Sequence, residues 1–286
     1  MFGLKKAHDY FGRIESDGYR RSYIVHLPKS YTTTKKWPLV LILHGGWGAG
    51  RKMVRYTNFN KIADEEGFIV VYPDGVRGHW ADGRRATIAD KRRVDDVRFI
   101  SSLIDKLLLT LKINSEQVYA AGISNGGFMT FRLGCELADK IAAIGVVAAT
   151  LPEIVAEDYK PSRPVPLIMF HGTDDRLVPK EGGVARGSGG DILSVDDTLQ
   201  HWAAINGCWK KPTIKKLPVK IRDGTSVIKE NYTACKDDAD VVFYKIVDGG
   251  HNWPGAKISY MLLGKTTKNI NASELIWDFF KKHPKT

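Results

Sequence analysis

Apolar residues gather in short, often β-branched runs at residues 23–27, 39–43, 68–72, 118–121, 144–148, 167–170 and 241–247. Several of these runs are apolar at consecutive positions instead of alternating with polar ones, which is how strands read when both faces of a sheet are covered. A second period runs between them. Val94, Val97, Ile100, Leu103, Ile104, Leu107, Leu108 and Leu111 recur three or four apart and predict one long amphipathic helix. Shorter helical patterns occupy 59–66, 126–138, 195–205 and 273–282. Strands alternating with helices predict an α/β fold, a doubly wound, mostly parallel sheet with helices on both faces. Residues 182–190, with five glycines in nine, and the lysine-rich stretch 210–236 break the alternation. Both read as surface excursions and not as linkers. There is no internal repeat, and a single domain over 1–286 is expected.

A 286-residue chain that is 43% hydrophobic and 26% charged excludes wholesale disorder, collagen and coiled coil. No apolar run approaches the ~18 residues of a membrane span, and residues 1–14 lack the apolar core of a signal peptide. The chain is therefore expected to be either cytoplasmic or a mature protein whose signal is absent. The net charge of +11 raises the question of nucleic acid, but the densest basic cluster (Arg84, Arg85, Lys91, Arg92, Arg93) is interrupted by Asp90 and followed by Asp95 and Asp96. That is the pattern of a solvated surface, and no nucleic-acid partner is expected. Of three cysteines, Cys208 and Cys235 bracket the lysine-rich stretch while Cys135 lies in an apolar helical pattern. One disulfide, Cys208 to Cys235, with a buried Cys135 fits an oxidising compartment; two unrelated thiols are the alternative.

The chemistry concentrates at Gly122-Ile123-Ser124-Asn125-Gly126, a G-x-S-x-G sequence that follows a strand-like run and opens a helical one. Strand, sharp turn and helix in that order lift a serine hydroxyl above a sheet, and small flanking residues are needed because strand and helix approach closely. A serine hydroxyl needs a base to take its proton and an acid to orient the base. His44 and His171 each end a strand-like run before a glycine, where a histidine usually pins a loop, and His8, His26, His201 and His283 have no catalytic context. His251 follows the last strand through Asp248-Gly249-Gly250 and is the expected base. The acid is expected after residues 167–170, at Asp175, which Val178-Pro179 could fold back to hold, with Asp174 the alternative. Serine, aspartate, histidine is the order of α/β-hydrolases. The glycine-rich turn His44-Gly45-Gly46-Trp47-Gly48 can aim N–H groups of Gly46 and Trp47, with that of Asn125, at a developing oxyanion. No H-x-x-x-H pair suggests a metal, and no cofactor is expected.

Taken with Tyr72-Pro73-Asp74-Gly75, Trp80-Ala81-Asp82-Gly83-Arg84, Val94-Asp95-Asp96-Val97 and Gly249-Gly250-His251-Asn252-Trp253-Pro254-Gly255, these segments resemble the esterase family that includes feruloyl esterases and polyhydroxybutyrate depolymerases, related to the carbohydrate esterases. The resemblance runs from about residue 20 to the end. It departs from the family at Gly46, where members often place a cysteine. The resemblance implies an α/β-hydrolase fold, Ser124 as nucleophile, Asp175 as acid and His251 as base. It also favours the Cys208–Cys235 disulfide and a secreted or periplasmic home. The implied activity is serine carboxylic ester hydrolysis through an acyl-enzyme, on aryl or acyl esters such as feruloyl groups of plant polysaccharide. Polyhydroxybutyrate depolymerase, acetylxylan esterase and, from another class, a non-catalytic polymer-binding protein are the alternatives. Trp47, Trp80 and Trp253 neighbour the catalytic loops and would either form an apolar wall for a substrate ring or pack those loops. Asp82 and Arg84 would contact substrate or pair with each other.

Overall fold

The computed structural model describes residues 9–258 and 260–285, so His8 and the ends of the expected 1–286 domain lie outside it. Its strands are β1 (Asp9–Ser16), β2 (Tyr19–His26), β3 (Trp37–Leu43), β4 (Ile69–Pro73), β5 (Ile113–Ile123), β6 (Ala143–Val147), β7 (Leu167–Gly172), β8 (Gly183–Val184), β9 (Asp191–Ile192), β10 (Thr213–Lys216), β11 (Ser226–Tyr232) and β12 (Val241–Val247). The helices are α1 (Gly50–Thr57), α2 (Phe59–Glu66), α3 (Ile88–Lys91), α4 (Asp96–Thr110), α5 (Asn125–Glu136), α6 (Glu153–Asp158), α7 (Val195–Ile205) and α8 (Ala272–Phe280).

Ten strands form one sheet in the order β1-β2-β4-β3-β5-β6-β7-β12-β11-β10, and β8 pairs with β9 apart from it. From β4 to β12 the six central neighbours are parallel, while β1 and β2 at one edge and β11 and β10 at the other run antiparallel. Period-2 alternation assigns the side chains of the central strands to two cores. Leu39, Leu41 and Leu43 of β3 join Phe99, Ile100 and Leu103 of α4, Phe128 and Phe131 of α5 and Trp202 of α7 on one face. Val40 and Ile42 join Met53 and Tyr56 of α1, Phe59 of α2 and Ile276 and Phe280 of α8 on the other. Both sets are buried, which is why these strands carry apolar residues at successive positions.

The α/β-hydrolase arrangement is thus present, with seven strands and five helices close to their expected positions. The stretch 210–236 differs from expectation. It supplies β10 and β11, which extend the sheet beyond β12. β10 is exposed along its whole length and most of β11 is only partly buried, so their pairing partner, and not an apolar pattern of their own, makes them strands. β1 carries no apolar pattern for the same reason. It is an edge strand whose residues alternate between exposed and half-buried. The glycine-rich stretch 182–190 does lie at the surface, folded back through the β8–β9 pair.

Candidate active site

The loops that carry the expected site residues leave the C-terminal ends of β3, β5, β7 and β12, where ligands sit in open parallel sheets. Ser124 caps α5 with φ 56° and ψ −124°, in the left-handed half of backbone space that a serine rarely occupies. The turn is possible because its neighbours lack side chains. A Cβ on Gly122 would lie 2.3 Å from the Gly126 carbonyl oxygen, and one on Gly126 would lie 2.5 Å from the carbonyl oxygens of Leu43 and His44. Strand β3, the elbow and α5 are therefore in backbone contact, and Ser124 alone in this elbow is left partly open.

His251 and Asp175 meet from different strand ends. His251 Nδ1 is 2.7 Å from Asp175 Oδ2, and both side chains are buried. The other carboxylate oxygen accepts N–H bonds of 2.9 Å from Leu177 and Val178, so the chain does fold back to hold it. Burial opposes ionisation of Asp175, yet His251, His171 and the Val178 N–H outweigh it and hold the carboxyl below the ordinary aspartate value. Asp174 is exposed and does not touch His251. Ser124 and His251 line one cleft of about 360 Å³, although Ser124 makes no hydrogen bond to the imidazole among the described contacts. Such a bond is often long in an empty site and tightens with substrate.

Gly46, Trp47 and Asn125 line the same cleft, and among the described residues nothing accepts a hydrogen bond from their N–H groups. His44 fixes the turn that carries two of them. Its Nδ1–H donates to the Gly45 carbonyl (2.8 Å) and its Nε2 accepts from the Gly75 N–H (2.9 Å), which sets the tautomer. Burial pushes the His44 pKa down to about 4. Asn125 is held from the other side, its Nδ2 donating to Asp82 Oδ2 (2.6 Å) and its Oδ1 accepting from the Trp80 N–H (2.8 Å). Asp82 and Arg84 do pair with each other, at 2.7 Å and almost fully buried. Arg84 then reaches across to the Gly189 carbonyl (2.8 Å) and the Ser188 hydroxyl (3.0 Å), tying the glycine-rich loop to the elbow.

The tryptophans divide. Trp47, at φ 58° and 78% exposed, lines the cleft. Trp80 and Trp253 are buried and form no wall of it, contrary to the substrate-contact alternative, because each is used in packing. Trp80 Nε1 donates to the His44 carbonyl (2.9 Å), and Trp253 anchors the His251 loop through Tyr56 Oη and Ser273 Oγ, each at 2.9 Å. The sequence pattern gave no sign of the remaining lining. His79, whose ring meets Trp47 edge-on at 4.5 Å, and Met53, Tyr56, Leu177, Tyr260 and Leu263 enter the cleft from loops and helices remote in sequence. Cys208 and Cys235 are disulfide-bonded and Cys135 is a buried free thiol. Among the described residues no cluster of histidine, cysteine and carboxylate could hold a metal, and no helix is long and apolar enough to cross a membrane.

A serine elbow over a parallel sheet, beside an apolar cleft that His251 also lines, is the arrangement of the α/β-hydrolase class. Residues 21–157 match the family model described as esterase PHB depolymerase. A protein described as "Putative esterase NocK" of Nocardia uniformis subsp. tsuyamanensis is 28% identical over 274 residues, 92% of this chain and 79% of that one. Feruloyl esterase B of Piromyces equi is 32% identical over 81% of this chain, which spans 42% of that longer protein. Among solved structures, the acetyl xylan esterase from Aspergillus awamori superposes with a TM-score of 0.61 at 13% identity, covering 85% of this chain and 94% of that one. Over residues 21–157 the chain is similar to the esterase PHB depolymerase family, and over most of its length to the esterases named above, on an α/β-hydrolase fold.

Proposed function

We propose that the chain is a single catalytic domain in which Ser124, His251 and Asp175 act as a triad on aryl or acyl esters of the feruloyl type, attached to plant polysaccharide. The observation that carries the reading is the buried 2.7 Å bond between His251 and Asp175, in the cleft that Ser124 lines. Ser124 Oγ attacks the ester carbonyl as His251 Nε2 takes its proton, and Asp175 stabilises the imidazolium through Nδ1–H. The N–H groups of Asn125 and Gly46, with that of Trp47, receive the negative oxygen of the tetrahedral intermediate. His251 returns the proton to the departing alcohol, and water then attacks the acyl-enzyme by the same route in reverse, releasing the acid. The apolar lining of Trp47, Met53, Leu177, Tyr260 and Leu263 suits an aromatic acyl group.

The disulfide supports a secreted or periplasmic protein. Depolymerisation of polyhydroxybutyrate and deacetylation of xylan use the same machinery and remain alternatives within the class, whereas a polymer binder would have no need of a buried His–Asp pair beside a serine. Ser124→Ala should lower turnover of methyl ferulate on the order of 10³-fold or more in folded protein. Near wild-type turnover would refute the role of Ser124. Rates of the wild type on methyl ferulate, nitrophenyl acetate and short hydroxybutyrate oligomers, measured side by side, decide the acyl group, with methyl ferulate expected to lead.

A further inference from the structure

The cleft is lined by two cationic side chains, Lys52 and Arg186, and by no aspartate or glutamate. Both are exposed, and neither has a carboxylate within 4.0 Å among the described residues. They sit on separate parts of the rim. Lys52 Nζ is 3.4 Å from the Trp47 carbonyl, on the side of the turn that carries Gly46, whereas the Arg186 N–H bonds to the Leu177 carbonyl (2.7 Å), on the side of the loop that carries Asp175. A cleft whose lining holds two exposed cations and no carboxylate attracts anions and repels cations.

We propose that the preferred substrate is an anionic ester, one carrying a carboxylate beside the scissile bond, within the field of Lys52 and Arg186. This rests on the esterase reading above and adds the charge of the substrate to it. The carboxylate belongs either to the alcohol side, as in an ester of a uronic-acid oligosaccharide, or to the acyl side, as in the half-ester of a dicarboxylic acid; the chemistry at the two cations is the same. Exposed ion pairs are individually weak and screened by salt, so the preference is modest and falls as ionic strength rises.

The test compares two matched pairs of substrates. One is feruloylated galacturonic-acid dimer against feruloylated galactose dimer, and the other is monomethyl succinate against methyl butyrate. In one pair kcat/KM should favour the anionic member about three- to tenfold at low salt, beyond whatever neutral shape gives, and the advantage should shrink toward one at about 0.5 M salt. Lys52→Gln combined with Arg186→Gln should remove the same advantage at low salt, read as the ratio within each pair so that any change common to both members cancels. Which pair responds identifies the side that carries the carboxylate. Ratios at or below one in both pairs, a ratio indifferent to salt, or a ratio unchanged in the double variant would overturn the proposal while leaving the esterase reading intact. Failure to hydrolyse any of the four esters would overturn both.

Discussion

Cutting the Cys208–Cys235 disulfide should cost stability without costing activity. The bond joins residues 27 apart in sequence, from just beyond the end of α7 to the approach to β12, the strand that leads to His251. In the chain-entropy model a cross-link closing a loop of this size restricts the unfolded chain by about 12 cal/mol/K, or about 3.5 kcal/mol at 25 °C. A chain of 286 residues unfolds with an entropy of roughly 600 cal/mol/K near 60 °C, so the Tm should fall by about 6 °C. The folded geometry has other ties at the same place. Asn206 accepts from the Val165 N–H (2.9 Å) and donates to the carbonyls of Val165 and Ala239 (both 2.8 Å), and the Lys236 N–H donates to the Asn206 carbonyl (2.9 Å). These hold α7 against the entrances to β7 and β12 with or without sulfur, so turnover at 25 °C should be unchanged. The assay is thermal denaturation with and without reductant, repeated with Cys208→Ser/Cys235→Ser, alongside ester hydrolysis. Cys135 will not confuse it, since the thiol is buried and its pKa is pushed up to about 12; titration of unreduced, denatured protein should find one thiol. Melting temperatures within about 1 °C of each other, or activity lost at a temperature where the reduced protein is still folded, would refute the reasoning.

Asp175→Asn should lower kcat on the order of 10³-fold or more and Asp174→Asn far less, because only Asp175 touches His251; the opposite ranking in hydrolysis assays would move the acid to Asp174. Gly126→Ala should destabilise the fold by about 1–3 kcal/mol and cut turnover sharply, since its Cβ would press on the carbonyls of Leu43 and His44 at 2.5 Å, and denaturant titration together with hydrolysis rates checks both. His44 makes stability depend on pH. Its pKa falls from 6.5 to about 4 on folding, so between those values the unfolded state binds the extra proton. The contribution, about 3 kcal/mol, is complete above pH 6.5 and is lost as the pH falls toward 4. His44→Gln should flatten that part of the stability profile, and an unchanged slope between pH 6.5 and 4 would contradict it.

The central strands and most of the helices were legible in the sequence because each buries enough of its own surface to leave a periodic apolar pattern, two-sided in β3 and one-sided in α4. The elbow was legible for a different reason. Gly122, Ser124 and Gly126 are local, and the close approach that requires the glycines happens within one strand-turn-helix unit. The positions of Asp175 and His251 could be read as loops after strands, but that Asp175 and not Asp174 faces the imidazole depended on the turn that brings the N–H groups of Leu177 and Val178 onto one carboxylate. The edge strands β1 and β10, and β11 beside β10, were beyond reach of pattern, since strands that bury little of their own surface take their conformation from the neighbours they pair with. The role of the tryptophans was likewise undecided in sequence. Trp47, Trp80 and Trp253 all stand beside site residues, and only the fold turns the first toward the cleft and the other two into the packing beneath it. The charge of the cleft was the least legible of all. Lys52 and Arg186 are far apart in the chain and surrounded by ordinary surface residues, and what distinguishes them is that the tertiary structure places both in the lining of the cleft that Ser124 and His251 share.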